Sequence, residues 1–286
     1  MPTLHTARGD FEAIIDGPAH GPVVILLHGF PELNISWRHQ IPALVAAGYR
    51  VIAPNQRGYA GSVRAGSYAT GDLAADVIAM LDAAGAQQAV VVGHDWGGAV
   101  AWTVAHLFPE RVCGLVAMNC PPPRVLMAHL THSPAQIRKS WYMFFFQLPW
   151  LPERFLVRTM PKTLVAGSYN RSVWNRETLT PYAEAFATEA DARGPVNWYR
   201  GAFRSGLRTA RRHLRPISAP VLIIWGVQDR FLGAEMISAQ ALRGSIAFPN
   251  EAQVVRIESA GHFVQNEAPD EVTAALLGWL TENAPF

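Results

Sequence analysis

The residues best placed by type and spacing to do chemistry are Asp95, Asp229 and His262. Asp95 lies in Gly93-His94-Asp95-Trp96-Gly97-Gly98, between an apolar run at 89–92 and a helix-like run at 99–107. Glycines around the central residue allow a tight turn and close approach of helix to strand. A carboxylate has a reference pKa of about 3.9, so at neutral pH it is ionised and needs no base before it attacks. Held in such a turn, it can attack an sp3 carbon bearing a leaving group and form an ester. A histidine is then free to activate the water that hydrolyses that ester. His262 follows the apolar run 254–257 in Ser259-Ala260-Gly261-His262-Phe263, and Asp229 follows the run 221–226 in Val227-Gln228-Asp229-Arg230. Both have plainer alternatives beside them: Asp95 as a helix cap, and Asp229 as a turn residue of the kind common after strands.

The elements that must position these residues are legible as runs. Apolar, β-branched segments at 23–27, 49–53, 89–92 and 112–118 lack polar alternation, which predicts strands buried on both faces, as in a parallel sheet. Leu73, Val77, Ile78 and Leu81 share one face of a 3.6-residue repeat, with Asp72 near its start and Gly85 just beyond its end. Strands alternating with helices predict an α/β domain with right-handed crossovers. From 121 to 215 the strand signal stops, and aromatics, prolines and helical segments replace it. Strands return at 221–225 and 254–257, followed by an amphipathic helix over about 269–280 with Asp270 and Glu271 in its first turn. The expected organisation is a core of residues 1–120 and 216–286 with a helical lid at 121–215 inserted in it.

The strand–turn–helix around Asp95 resembles the nucleophile elbow of the α/β-hydrolase fold, usually written G-x-S-x-G, with Asp in the Ser place. Within that fold the chain is similar to the epoxide hydrolases and dehalogenases, over nearly its whole length. The resemblance implies a mostly parallel central sheet flanked by helices, with the chain order nucleophile, acid, histidine that Asp95, Asp229 and His262 follow. His28-Gly29-Phe30-Pro31-Glu32 resembles the HGxP signature of the same families. It implies an oxyanion hole from the backbone amides of Phe30 and Trp96, with His28 bracing the loop and Glu32 helping to hold the hydrolytic water. Arg57-Gly58-Tyr59 with Ser62 looks like the family's RGYGxS turn, interrupted by Ala60 and structural in role. Tyr142-Met143-Phe144-Phe145-Phe146-Gln147 and Asn197-Trp198-Tyr199-Arg200 resemble the two lid-tyrosine segments of epoxide hydrolases. They imply Tyr142 and Tyr199 as acids that open an epoxide ring, while Tyr169 and Tyr182 lack such settings and read as packing.

The nearest alternative is a haloalkane dehalogenase with the same Asp-His-Asp triad. A halide needs N–H donors around a small anion, whereas the oxygen of an opened epoxide needs a proton, which a Tyr of reference pKa about 10 can give. Phe30 stands where one dehalogenase group places a halide-binding Asn, and Trp96 where a fluoroacetate dehalogenase would have Arg. A lid tryptophan, Trp141, Trp150 or Trp174, keeps the halide route open. A non-catalytic ligand-binding protein would tolerate loss of triad residues, and all three are present. A carboxylesterase would need Ser or Cys at position 95.

Composition bounds the rest. The chain has 286 residues, a formal net charge of +2, half its residues hydrophobic and 16% charged. That is below the roughly 25% of average globular chains and speaks for a large core, against disorder. Two cysteines exclude a disulfide framework and a multi-Cys zinc site. His129 and His132 have no carboxylate or Cys to complete a metal site, and no phosphate-binding glycine motif occurs; neither metal nor cofactor is expected. The mild basicity gives no argument for nucleic acid. The longest apolar runs, such as 141–146, fall far short of the ~20 residues a membrane span needs, so no membrane partner is expected. The default expectation is a cytoplasmic enzyme acting on a small apolar epoxide and water, with a homodimer left open. Arg200, Arg204, Arg208, Arg211, Arg212 and Arg215 read as the solvated face of the last lid helix.

Overall fold

In a computed structural model the chain is described over residues 2–209, 217–243 and 252–283, with backbone alone at 205–209. The strands are β1 (Thr3–Thr6), β2 (Gly9–Asp16), β3 (Val23–Leu27), β4 (Arg50–Pro54), β5 (Ala89–His94), β6 (Val112–Met118), β7 (Val221–Gly226) and β8 (Gln253–Ile257). They form one sheet in the order β1-β2-β4-β3-β5-β6-β7-β8. β1 and β2 pair antiparallel, β2 joins β4 antiparallel, and every later pairing is parallel. The first hairpin is absent from the sequence reading. Only Phe11 and Ala13 of β2 are buried, so its signal is a short alternation in place of a continuous apolar run.

Residues of β3 divide alternately between two cores. Ile25 and Leu27 pack with Val77, Val100, Trp102 and Val104 on one face; Val24 and Leu26 pack with Ile41, Leu44, Leu276 and Trp279 on the other. Those partners come from helices α1 (Gln40–Ala46), α2 (Thr70–Ala83), α3 (Trp96–Leu107) and, at the chain's far end, the helix Pro269–Asn283. Both faces being covered is why β3, β5, β6 and β7 read as unbroken apolar runs. The expected helix around Leu73 is α2, and Gly85 beyond it takes φ +72°, a left-handed value that suits glycine at a helix end.

The register lines up the strands' carboxyl ends. Leu27 lies opposite Gly93, His94 opposite Met118, Met118 opposite Ile224, and Gly226 opposite Ile257. The loops that begin at His28, Asp95, Asn119, Val227 and Glu258 therefore leave one edge, where open α/β sheets place their ligands.

Between β6 and β7 run α4 (Pro123–His132), α5 (Pro134–Lys139), α6 (Trp141–Phe145), α7 (Leu151–Thr159), α8 (Lys162–Gly167), α9 (Arg176–Ala185) and α10 (Glu189–Thr209), with no strand among the described residues. The expected return to the core at residue 216 lies outside the described residues. The long α10 ties the insertion to the core. The Trp198 indole N–H donates to the Arg57 carbonyl at 2.9 Å. Arg57 in turn is held by Asp76 through Nε at 2.6 Å and Nη2 at 2.7 Å, which ties its turn to α2. Beyond α10 lie α11 (Ala239–Arg243), α12 (Val264–Glu267) and the last helix, α13.

At the turn between β5 and α3 the packing admits no side chain on two glycines. A Cβ at Gly97 would stand 2.0 Å from the Leu27 carbonyl oxygen, and one at Gly93 would stand 2.2 Å from the Gly97 carbonyl oxygen. Both obstacles are backbone and cannot step aside. Gly97→Ala is expected to cost about 2 kcal/mol or more, seen as a Tm lower by ~4 °C or more; an unchanged Tm would contradict the close approach of α3 to β3.

Candidate active site

Asp95 takes φ +49° and ψ −116°, a conformation that a non-glycine residue holds only where its surroundings impose it. Its side chain makes no capping bond to α3. Its carboxylate points to the end of the sheet instead. There Oδ1 accepts the Phe30 amide at 2.9 Å, and Oδ2 lies 3.5 Å from His262 Nε2. The Trp96 amide, the first of α3, has no such bond in this state.

The other side of the imidazole faces Asp229, with His262 Nδ1 at 2.8 Å from Oδ2. Asp229 is buried, and both its oxygens are occupied. Oδ1 accepts the amides of Phe231 and Leu232 at 2.7 and 3.0 Å, and Oδ2 also accepts the Asn119 side-chain amide at 2.7 Å. Asn119 is braced in turn, because its Oδ1 accepts the Gly226 amide at 2.9 Å. Asn119, which ends β6, is a strut between β6 and β7 that fixes Asp229.

Electrostatics follow from this geometry. Burial by itself would lower the His262 pKa, but Asp229 and Asp95 outweigh it and hold the imidazole well above its usual value. Burial would raise both carboxylates, yet each is held below the ordinary carboxylate range, chiefly by His262. Set between the two carboxylates, the buried imidazole is biased toward its protonated form.

A second buried group lies behind the first. Glu32 Oε2 meets His94 Nδ1 at 2.7 Å, and His94 Nε2 meets the His262 carbonyl oxygen at 2.7 Å. The Glu32 pKa is lowered: burial opposes ionisation, and the charge and hydrogen bond of His94 overcome it. His94 thus links the Glu32 carboxylate to the backbone of the His262 loop. Glu32 also accepts from Ser36, Gln265 and Asn266. His94 was missed as a functional residue, although it stands beside Asp95. His28 is different: burial drops its pKa to about 4, Nδ1 meets the Gly29 carbonyl at 2.9 Å, and Nε2 accepts the Gln56 amide at 3.1 Å. It is a neutral brace of its loop.

The insertion brings Tyr142 and Tyr199 together over Asp95. Their rings are 6.0 Å apart and near perpendicular. Burial raises the pKa of both phenols well above 10; the Asp95 charge raises both further, and Tyr142 does so for Tyr199. Both remain protonated and able to donate. Aromatic rings surround them: Phe146 lies 4.6 Å and Phe30 5.0 Å from Tyr199, and Phe231 lies 5.5 Å from Tyr142 and 4.9 Å from His262. Phe231 carried no sequence signal beyond following Asp229-Arg230.

The lid tryptophans face elsewhere. The Trp174 indole donates to Ser168 Oγ at 2.6 Å, while Trp141 and Trp150 are more than half exposed. Tyr182 is buried, as packing requires, whereas Tyr169 is half exposed. The reading of the arginine run as a solvated face is corrected at Arg200. Its guanidinium is held by Glu153 at 2.6 Å and by the carbonyls of Phe146 and Leu148, because α10 crosses α7 there. Arg204 is exposed. Arg211, Arg212, Arg215 and the Arg208 side chain lie outside the described residues.

An elbow, a histidine and an acid on the carboxyl edge of a mostly parallel sheet define an α/β-hydrolase site. The chain matches the alpha/beta hydrolase fold family over residues 22–269 and belongs to it. It is 36% identical to the AB hydrolase superfamily protein YfhM of Bacillus subtilis, covering 97% of this chain and 94% of that protein. It is 37% identical to Epoxide hydrolase A of Mycobacterium tuberculosis, covering 93% and 92% of the two chains. The crystal structure of Epoxide Hydrolase A from Mycobacterium thermoresistibile superposes with a TM-score of 0.83 at 32% identity, covering 99% of this chain and 98% of that one.

The charge arrangement fixes a stability profile. The His262 pKa is raised, so its contribution is complete below about pH 6.5 and is lost as pH rises through the folded value. The Asp95 and Asp229 values are depressed, so theirs is complete above about pH 4 and is lost as pH falls through the folded values. Tm is expected to be highest between these limits. Asp229→Asn should shrink the decline on the alkaline side; parallel declines in the two proteins would show that Asp229 does not hold the imidazolium.

Proposed function

We propose that this enzyme is an epoxide hydrolase that converts a small apolar epoxide and water to a vicinal diol. The observation that carries the reading is the pair of protonated phenols, Tyr142 and Tyr199, set over an ionised carboxylate in an aromatic enclosure. The similarity to proteins named epoxide hydrolase supports the same reading.

In the first step Asp95 Oδ2 attacks a ring carbon, the carbon–oxygen bond breaks, and the oxygen takes a proton from a tyrosine. Oδ1, beside the Phe30 amide, becomes the ester carbonyl oxygen. Esterification removes the Asp95 charge and its hydrogen bond, two of the interactions that raise the His262 pKa. The imidazolium then gives up its proton, which returns the tyrosinate to the phenol, and becomes a base, so the first step arms the second. His262, oriented by Asp229, takes a proton from water as the oxygen attacks Cγ. The Phe30 amide, joined by that of Trp96, stabilises the oxyanion; such a donor is worth on the order of 100- to 1,000-fold in rate. Collapse frees the diol, to which His262 returns its proton, and the proton left on the Asp95 carboxyl passes to His262, restoring the starting imidazolium and carboxylate. Glu32 contributes to the hydrolytic step through His94 and the His262 carbonyl, its own oxygens being taken up by protein donors.

The test offers the protein an aryl epoxide and a chloroalkane separately. Diol without halide release is expected, and Tyr142→Phe/Tyr199→Phe should lower diol formation by about 100-fold or more, the range for general acid catalysis starting there. Halide release with no diol would replace this reading with that of a dehalogenase.

A further inference from the structure

Charge is divided unevenly along the chain. Residues 121–215 hold 15 Lys and Arg against five Asp and Glu, a net of +10, while the remainder holds nine against 17, a net of −8. The near-neutral total conceals a strongly basic insertion on an acidic core. The insertion also carries the large exposed apolar side chains. Trp141 is 64% and Phe144 59% exposed on α6, Leu148 follows one turn on, and Leu151 and Phe155 are exposed one turn apart on α7. The Phe145 ring joins the two helices, 6.2 Å from Trp141 and 5.6 Å from Phe155, so these residues make one continuous surface.

Cations fringe that surface. Arg138 and Arg158 are exposed on the helices that lead into and out of it, and the Arg154 guanidinium stands 5.0 Å from the Trp150 ring. The nearby acids are already neutralised, Glu153 by Arg200 and Glu189 by Arg154. Exposed Trp and Phe within a basic rim match a membrane interface, where indole sits at headgroup level and Lys and Arg attract anionic lipid. A second copy fits less well, since a two-fold pairing would bring one basic insertion against another. We propose that the insertion docks, by its α6–α7 face, on the surface of an anionic lipid bilayer. Among the described residues no helix is long and apolar enough to cross a membrane. The docking is peripheral, which the shortness of the apolar runs does not exclude.

The test is sedimentation of the full chain with lipid vesicles. With phosphatidylcholine containing about 30% phosphatidylglycerol at ~50 mM salt, roughly tenfold more protein should pellet than with phosphatidylcholine alone, and ~0.5 M salt should release it. Two variants, Trp141→Ser/Phe144→Ser and Arg138→Glu/Arg158→Glu, should each lower the bound fraction about fivefold or more at unchanged circular dichroism. Equal pelleting with both vesicle types would overturn the proposal. So would a dimer in solution that Trp141→Ser/Phe144→Ser converts to monomer, since the face would then seat a second copy.

Discussion

The buried imidazole of His262 stands between the buried carboxylate of Asp229 at 2.8 Å and the largely buried one of Asp95 at 3.5 Å, and desolvation works against the charge on all three. Their mutual attraction reverses that balance, helped by hydrogen bonds from Phe30 to Asp95 and from Leu232 and Asn119 to Asp229. The arrangement is conditional: whatever removes the charge on Asp95 also loosens the proton on His262. The rest of the molecule serves to keep this triplet in place. Parallel register aligns the strand ends, glycines let α3 close on β3, and Asn119 with the amides of Phe231 and Leu232 pins Asp229. The Glu32–His94 pair holds the backbone carbonyl of His262 from behind.

The insertion answers a different need. A bare carboxylate at the end of a sheet would be solvated and a poor nucleophile; roofed by Phe30, Phe146, Phe231 and the two phenols it is shielded from water. α10 makes this possible because Trp198 anchors it to the Arg57 loop while Tyr199, the next residue, turns toward Asp95. Adjacent residues of one helix thus attach it to the core and line the space beside Asp95.

Much of this was legible in the sequence, for identifiable reasons. β3, β5, β6 and β7 are buried on both faces, and such strands leave an unmistakable apolar run. The turn at Asp95 is legible because backbone contacts at Gly93 and Gly97 leave no room for a side chain. Tyr142 and Tyr199 were found through resemblance to known lid segments, since nothing in their spacing says that residues 57 positions apart in the chain will meet. What escaped depends on tertiary contact. Asn119 matters through an amide aimed at Asp229, His94 through two acceptors from distant loops, and Arg200 through a partner on another helix. The β1–β2 hairpin escaped because half-buried strands carry only a short alternation.

The claim on which the account rests is that Asp95, and not water, makes the first bond to substrate. A single turnover in heavy-oxygen water, with enzyme in excess over an aryl epoxide, tests it directly. Water that attacks the ester at Cγ leaves its oxygen in the protein, so the label should appear in the peptide that contains Asp95 while the first diol stays unlabelled. Label in that first diol, with none in the Asp95 peptide, would contradict the covalent route.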